Sequence, residues 1–591
     1  MDCSSNISLK DNPFVPPKGT RCPVNDIPPE LLSLIFEVGA QSIKDEDEED
    51  EQEEEDEAMA VYWNLEAGAK DGVDEDSETT NLKRSRVTRN DGVDDDNLSE
   101  LSTLSDTTFE PMPSFEVLIS HVCHHWRVVA LNTPSLWTEI DVSPLDSPPF
   151  ERVQTLLERS KSLPIDIRID CEPPDDDEEE DSSGSEDSEL GQSPRSMTFS
   201  DLDNLMSLLV PHISRWGSIE VAVACYKHMF IFLSAVSDPS IAGAPQLEAL
   251  QLYHHEDAES LTAFAQPDLV QHFKLFGGVA PRLKSVALWG VHVDWCQEWL
   301  SRGLNLLDLE LAYHTDDVRP SWTQFAAILC GAPKLETLSL CSSGPLGAPH
   351  DWCSEGSSGS YGNDYTGVIE LHSLTHLVLA FHSPVYVSGL LRRLAFPALK
   401  SLTLDLDDGD FTDFAFQLAG PVITAVPMVP KDGEKKRSLL SGLDTLKISG
   451  LSCSDRSIEL MYAELGNLKT LNLVMRYLPH AFLQLLYHPC PVPGQRDACH
   501  VCLPSLITLS TAGVAGHQIC ELVQKRKEAG VPLKAVYMEE DDEVMDHDLQ
   551  WLRDNVEVVD FFEASDDEFA SLVDIEEGNE GSESEWEEVD D

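Results

Sequence analysis

A chain of 591 residues with 41% hydrophobic residues is long enough for several domains or for one extended repeat array. It contains 107 acidic and 40 basic residues, which give a formal net charge of −67. Because this charge repels phosphates, we expect no binding to nucleic acid or to an anionic membrane surface. Dense runs of like charge typically stay disordered, and we therefore expect disorder in residues 41–112, 172–196 and 563–591. Residues 1–21 are expected to be a disordered N-terminus.

Targeting and redox features indicate a cytoplasmic or nuclear protein. The first residues lack the charged and apolar regions of a signal peptide, and no apolar run reaches the roughly 18 residues of a membrane span. The fourteen cysteines are scattered through apolar segments without a disulfide-like framework. Such cysteine usage is typical of buried, reduced thiols.

The first predicted helix lies in NDIPPELLSLIFEV, residues 25–38. Pro28 and Pro29 suit a first helical turn, where a missing N–H costs nothing, and Glu30 complements the helix dipole there. The apolar stripe consists of Leu31, Leu34, Ile35 and Val38, widened by Leu32 and Phe36. A helix this short is unstable alone, so the pattern predicts a packing partner elsewhere in the chain.

The expected partner is SFEVLISHVCHHWRVVALNTPSLWTEIDV, residues 114–142. Apolar residues at three/four spacing predict one broad helical face, formed by Phe115, Leu118, Ile119, Val122, Cys123, Trp126 and Val129. The helix ends at Asn132-Thr133-Pro134 by turn chemistry. The acidic residues between the two helices can loop out, because closure costs rise only by about 0.6 kcal/mol per doubling of loop length.

Together the two segments, within residues 22–142, resemble an F-box-like domain of the form common in fungal proteins. The matching positions are Ile27, Pro28, Glu30, Leu31, Leu32, Ile35, Phe36, Val122, Cys123, Trp126, Arg127, Pro134, Leu136 and Trp137. One departure is large, since residues 41–112 replace the short connector of the family. The alternative is a plain helical cap whose apolar residues only form core.

The resemblance implies docking onto the Skp adaptor of a Skp–cullin–F-box ubiquitin ligase. The adaptor-binding residues that it implies are Ile27, Pro28, Leu31, Leu32, Ile35, Phe36, Leu136 and Trp137. Val122, Cys123 and Trp126 are expected to form the core of the module.

A short phrase recurs in the rest of the chain. Its copies include APQLEALQL (244–252), APRLKSVAL (280–288), APKLETLSL (332–340), FPALKSLTL (396–404) and LGNLKTLNL (465–473). The pattern Leu-x-x-Leu-x-Leu predicts a short strand with three inward side chains. Predicted helices lie between the copies, at 321–333, 456–467 and 480–488. This alternation predicts an α/β solenoid over residues 150–562.

The solenoid is expected to be of leucine-rich-repeat type, with a flexible Gly/Ser-rich insertion at 353–364. An F-box followed by such repeats resembles the leucine-rich F-box class. The alternative is another α/β fold with parallel strands, such as a doubly wound sheet.

No common catalytic or phosphate-binding motif is present, so we expect neither an enzyme nor a cofactor. The cluster His488, Cys490, Cys499 and Cys502 has a two-residue cysteine gap that zinc sites use. With one Cys-x-x-Cys and flanks that lead into a repeat, we favour a loop of reduced cysteines without metal.

These features predict a non-catalytic substrate-recognition subunit of the ubiquitin ligase, in which the solenoid binds an unknown protein substrate. A second hypothesis uses the acidic segments instead. It makes the chain an acidic scaffold or chaperone that binds basic proteins such as histones and has no ligase role.

Overall fold

The described residues fall into two units. The computed structural model describes residues 27–43, 114–144, 146–171, 197–254, 263–353, 368–406, 409–421, 437–476, 478–487, 490–491 and 499–562. Residues 27–43 and 114–136 form one unit, called here the helical unit, and the described residues from 137 onward form the other, called the sheet unit. The segments 1–21, 44–112, 172–196, 354–364 and 563–591, for which disorder is predicted, lie outside the described residues.

The helical unit contains three helices, α1 (29–43), α2 (Phe115–Val122) and α3 (His124–Asn132). A 3-10 turn at Pro134–Trp137 follows and leads into the sheet unit, which begins at Trp137. The predicted second helix is broken at Cys123, whose backbone is extended with φ −160° and ψ 168°. The Cys123 sulfur accepts a hydrogen bond from the backbone N–H of Trp126 at 3.5 Å and so caps α3. The first helix continues to residue 43, into the predicted acidic insertion.

The sheet unit is built on one sheet of 14 parallel strands. Its strands are β1 (Glu139–Val142), β2 (Ile165–Asp170), β3 (Trp216–Val223), β4 (Ala249–His254), β5 (Ser285–Trp289), β6 (Asp308–Ala312), β7 (Thr337–Cys341), β9 (His376–Ala380), β11 (Ser401–Asp405), β12 (Thr445–Ser449), β13 (Thr470–Val474), β16 (Thr508–Ala512), β17 (Ala535–Glu539) and β18 (Val558–Phe562). Two small pairs lie apart from it: β8 (Ile369–Glu370) with β10 (Leu394–Ala395), and β14 (Cys490–Pro491) with β15 (Cys499–His500).

The strands of the large sheet follow the order of the chain from one edge to the other. A doubly wound sheet reverses its strand order at a switch point, so that alternative is wrong. The sheet also begins earlier than predicted. β1 pairs with β2 in parallel, which places residues 139–142 in the sheet rather than in the helical module.

Helices connect the strands. They are α4 (Glu151–Arg159), α5 (Phe199–Leu209), α6 (Tyr226–Val236), α7 (Glu298–Ser301), α8 (Trp322–Gly331), α9 (Pro384–Leu391), α10 (Thr412–Ala419), α11 (Asp455–Glu464), α12 (Ala481–Gln484), α13 (Gly516–Glu528) and α14 (Asp546–Asn555). Further 3-10 turns lie at Val210–Arg215, Pro267–Leu269, Leu275–Gly278, Asp351–Cys353 and Leu440–Gly442. Helix α8 is an example of how the sequence forms these helices. Ser321 and Gln324 form a capping box at its beginning. Its buried face consists of Trp322, Phe325 and Leu329.

The core of the sheet unit is a row of aliphatic side chains in matched register. Leu309 of β6 lies opposite Leu338 of β7, which lies opposite Leu377 of β9. The row continues through Leu402, Leu446, Leu471 and Leu509. These side chains are buried, and the predicted inward triplet is confirmed. Full burial of one leucine contributes about 1.5–3 kcal/mol, so the row is a main source of stability.

Three buried histidines lie just after strands of this sheet. Burial lowers the pKa of His292 to about 4 and that of His314 and His382 to about 3. The positive charge of Arg319 adds to the effect at His314 and His382. At His292 the carboxylate of Asp317 acts in the opposite direction, and the nearby imidazoles of His254 and His272 lower the pKa further. The folded chain therefore holds these rings neutral.

The stability of the sheet unit should fall as the pH is lowered from about 6.5 toward 4. Between these pH values the histidines bind protons in the unfolded chain but not in the folded one. The free energy of unfolding therefore falls by up to about 1.4 kcal/mol per pH unit for each ring. Urea unfolding at several pH values measures how the free energy of unfolding depends on pH. His314→Asn should flatten this dependence, because it removes one of the three buried rings. A dependence on pH equal to that of the wild type would contradict the assignment.

Candidate functional site

Helix α1 has one buried and one exposed apolar face. Leu32 and Phe36, four residues apart, are each 1% exposed, and the Phe36 ring meets the Trp126 ring edge-on at 5.0 Å between centroids. The opposite face leaves four aliphatic side chains in solvent. They are Leu31 at 54%, Leu34 at 53%, Ile35 at 52% and Val38 at 57% exposed, and we call them the α1 stripe.

Polar contacts within the helical unit fix the orientation of α1. The hydroxyls of Ser33 and Thr133 share a hydrogen bond of 2.8 Å. One turn further along, the hydroxyl of Ser135 donates to a carboxylate oxygen of Glu37 at 2.6 Å. Gly39 lies so close to the Phe115 ring that a Cβ there would be 2.7 Å from the ring. Because α1 is held on this side, the α1 stripe is the side that stays uncovered.

The α1 stripe overlaps only partly with the predicted adaptor-binding residues. Pro28, Leu31 and Ile35 are exposed, and Ile27 is half-buried. The prediction is wrong for Leu32 and Phe36, because both belong to the core. It omitted Leu34 and Val38, although their spacing of three and seven residues from Leu31 places them on its face.

Two further predicted adaptor contacts are buried. Leu136 is 8% exposed and Trp137 is 1% exposed, so neither side chain is available to a partner. The Arg159 guanidinium lies 4.4 Å from the centre of the Trp137 ring, a cation–π contact that helps to hold this tryptophan inside the chain.

Of the three residues predicted to form the core of the module, only one is half-buried. Trp126 is half-buried against Phe36, but Val122 is 60% exposed and Cys123 is exposed. The core prediction is wrong for Val122 and Cys123, because it assumed one continuous helix. The break at Cys123 separates the faces of α2 and α3, and Leu118 and Val128 are exposed as well.

Contiguous exposed apolar side chains are rare on monomeric proteins and usually mark an interaction surface. Four branched aliphatic residues on two turns of one helix form such a surface. Two hydrogen bonds and the close packing of Gly39 on Phe115 hold α1 in place. The surface is therefore already formed before any partner binds.

Most of the cluster considered above as a candidate metal site cannot be placed within the described residues. His488 lies outside the described residues, and the side chains of Cys490 and Cys499 are not described. Cys502 is half-buried, and its backbone carbonyl accepts a hydrogen bond from Arg526 Nη1 at 3.0 Å. Within the described residues, no three His, Cys, Asp or Glu side chains are grouped for metal binding. No helix in that same part of the chain is long and apolar enough to cross a bilayer.

No protein-family model matches the chain, and no curated protein matches it.

Replacing adjacent residues of α1 should separate core from surface. Phe36→Ala removes a ring from the core and should destabilise the helical unit by about 3–5 kcal/mol. Ile35→Ala removes an exposed side chain and should change stability by less than about 0.5 kcal/mol. Hydrogen exchange of peptides from 29–43 and 115–132 should be faster in the first variant only. Equal exchange in both variants would contradict the assignment of the two faces.

Proposed function

We propose that the chain is a non-catalytic substrate-recognition subunit of a Skp–cullin–F-box ubiquitin ligase. In this proposal the α1 stripe docks onto the Skp-family adaptor. Two observations support it. The order of residues from Ile27 to Trp137 resembles an F-box-like domain, and the helix that would carry the adaptor contacts leaves an aliphatic face uncovered.

The α1 stripe has the form that helix-in-groove recognition uses. Leu31, Leu34, Ile35 and Val38 occupy positions i, i+3, i+4 and i+7, the anchor spacing of an amphipathic helix that enters an apolar groove. Each such side chain contributes about 1.5–3 kcal/mol when it is fully buried. Pro28, exposed at the beginning of α1, can extend the contact.

The sheet unit is proposed to be a leucine-rich-repeat-type solenoid that binds the protein substrate. The recurring Leu-x-x-Leu-x-Leu phrase, the parallel strands in chain order and the connecting helices support this assignment. The ligase chemistry lies elsewhere in the complex. The role of this chain is to tether the substrate, which raises its effective concentration near the ligase.

The second hypothesis, an acidic scaffold that binds basic proteins such as histones, is favoured by the net charge of −67. Binding of this kind would depend strongly on salt, because the Debye length shortens from about 10 Å at 0.1 M to about 3 Å at 1 M salt. It gives no reason for an exposed aliphatic face on α1. We therefore place it second.

Charge in the α1 stripe should abolish adaptor binding without unfolding the protein. Leu31→Asp combined with Ile35→Asp should reduce co-purification with a co-expressed Skp-family adaptor at least tenfold, because two buried charges cost several kcal/mol. The matched control is Val385→Asp on α9, where the side chain is 67% exposed on the sheet unit. The control should co-purify like the wild type, and the thermal unfolding of all three proteins should be similar.

Absence of the adaptor from the wild-type complex would contradict the ligase role. Equal co-purification by the double variant would show that the adaptor binds elsewhere. Binding of core histones that disappears in high salt, and that Leu31→Asp with Ile35→Asp leaves unchanged, would favour the acidic scaffold.

A further inference from the structure

The two edge strands of the large sheet differ in the burial of their inward side chains. On β1, at the first edge, the inward residues Ile140 and Val142 are at most 2% exposed. The last edge is formed by β18, which pairs only with β17 among the described strands. Its inward residues Val559 and Phe561 continue the buried register of β17 but are only half-buried. The sheet unit therefore ends in an apolar strand that the described residues leave partly uncovered.

The backbone of β18 also has hydrogen-bonding groups along this edge. Successive residues of a paired strand direct their N–H and C=O groups to opposite edges. The N–H of Val558 donates to the carbonyl of Lys534, on the β17 side, at 3.0 Å. Val559 and Phe561 therefore direct their backbone groups away from β17. The N–H and C=O of Val559 and the C=O of Phe561 form no hydrogen bond with any residue that the structure describes.

We call these backbone groups, together with the side chains of Val559 and Phe561, the β18 edge. The remaining donor of the row, the N–H of Phe561, donates to a carboxylate oxygen of the preceding residue, Asp560, at 3.1 Å. An open strand with apolar side chains is a template on which a further strand can form. The last unit of a repeat array usually has a polar outer face that prevents this. Because this face is apolar here, the β18 edge is suited to binding.

The charge beside the β18 edge is negative. Residues 546–562, which include α14 and β18, contain five carboxylates, and Arg553 is the one lysine or arginine among them. The chain then continues into residues 563–591, which contain 14 carboxylates and no basic residue. A second copy of the chain would bring two such segments together, so like-charge repulsion opposes the pairing of β18 with itself. A partner with positive charge is attracted by the same groups.

We propose that the β18 edge binds an extended segment of a protein partner that contains lysine or arginine, and that this segment adds to the sheet as a further strand. The backbone of Val559 and Phe561 exchanges hydrogen bonds with the segment, and a cation of the segment lies beside the carboxylate of Asp560. The inference rests on the proposed function, since it names the class of substrate that the sheet unit recognises.

The side chains of β18 determine which segments fit. In strand addition the backbone supplies affinity, and the side chains at alternate positions supply specificity. Val559 and Phe561 favour apolar residues on the inward side of the added strand. Asp560 points to the other side and is exposed, so it favours a cation there. Opposite charges on neighbouring strands stabilise the pair and like charges destabilise it. The segment is therefore expected to alternate apolar and basic residues.

A proline at position 559 blocks the β18 edge and leaves the pairing of β17 with β18 intact. Proline has no N–H, and it is tolerated on an edge strand where the N–H would point away from the sheet. Val559→Thr is the matched control, because it keeps both the N–H and the branched shape of the side chain. Thermal unfolding of the two variants should be similar.

An array of random nine-residue peptides measures binding. The labelled full-length protein and its Val559→Pro variant are applied in 0.15 M NaCl. Peptides whose signal is lost in Val559→Pro should be enriched in lysine and arginine. For the strongest of them, fluorescence anisotropy should show affinity at least fivefold weaker in Val559→Pro and no more than about twofold weaker in Val559→Thr. Asp560→Asn keeps an acceptor for the N–H of Phe561 but removes the charge, and it should weaken binding about threefold.

Two N-methylated forms of the strongest peptide test strand addition on the unchanged protein. One form is methylated on the amides of its residues 3, 5 and 7, and the other on those of its residues 4, 6 and 8. The two forms have the same charge and the same number of methyl groups. Because one edge of a bound strand faces β18, one form should bind at least fivefold more weakly than the other. Equal affinities would show that charge alone holds the peptide, and would overturn the proposal.

The proposal is also overturned if no peptide signal depends on Val559, because the β18 edge is then closed to partners. It fails as well if the peptides that depend on Val559 are not enriched in lysine and arginine. Light scattering should give the same mass for the wild type and for Val559→Pro. A dimer that dissociates in Val559→Pro would identify a second copy as the occupant of the edge, against the proposal.

Adaptor co-purification on the same variants separates this proposal from the ligase role. It should be unaffected by Val559→Pro, because β18 belongs to the sheet unit and the α1 stripe to the helical unit. If the wild type binds no adaptor but the peptide results hold, the ligase role fails and the β18 edge stands as a binding site.

Discussion

The structure depends on how each element divides its side chains between an inward and an outward face. In the sheet unit the inward triplet stands in the same register on successive strands, as in the row Leu309, Leu338 and Leu377. Because the side-chain period of a strand is two, a slip of one residue would expose the whole row. Burial of the leucines thus fixes the register.

The same division explains the helical unit. Leu32 and Phe36 face inward, and the α1 stripe on the opposite side contributes nothing to the core of this chain. Long insertions fit between the elements for a related reason. Each repeat packs mainly on its neighbours, and loop closure costs grow only with the logarithm of loop length. Segments such as 172–196 can therefore be inserted while β2 and β3 still pair in parallel.

The sequence predicted those parts of the fold that local periodicity determines. The Leu-x-x-Leu-x-Leu phrase predicted the inward triplets, and the spacing of Trp322, Phe325 and Leu329 predicted the buried face of α8. The sequence could not show which side of α1 faces inward, because apolar residues cover most of the circumference of this helix. They are Leu31, Leu32, Leu34, Ile35, Phe36 and Val38. The inward side of α1 is the side that contacts Trp126. The position of Trp126 depends on the break in the helix at Cys123, and no proline or glycine at that point indicates the break in the sequence.

The central claim is that the uncovered face of α1 is where the adaptor binds. Hydrogen exchange of the full chain, measured alone and with purified Skp-family adaptor, tests it most directly, because it locates the contact without any substitution. We expect the backbone amides of residues 29–43 to exchange at least tenfold more slowly with adaptor, while those of β11 to β13 stay unchanged. Binding that leaves the exchange of 29–43 unaltered, or that slows exchange only in the sheet unit, would contradict the claim.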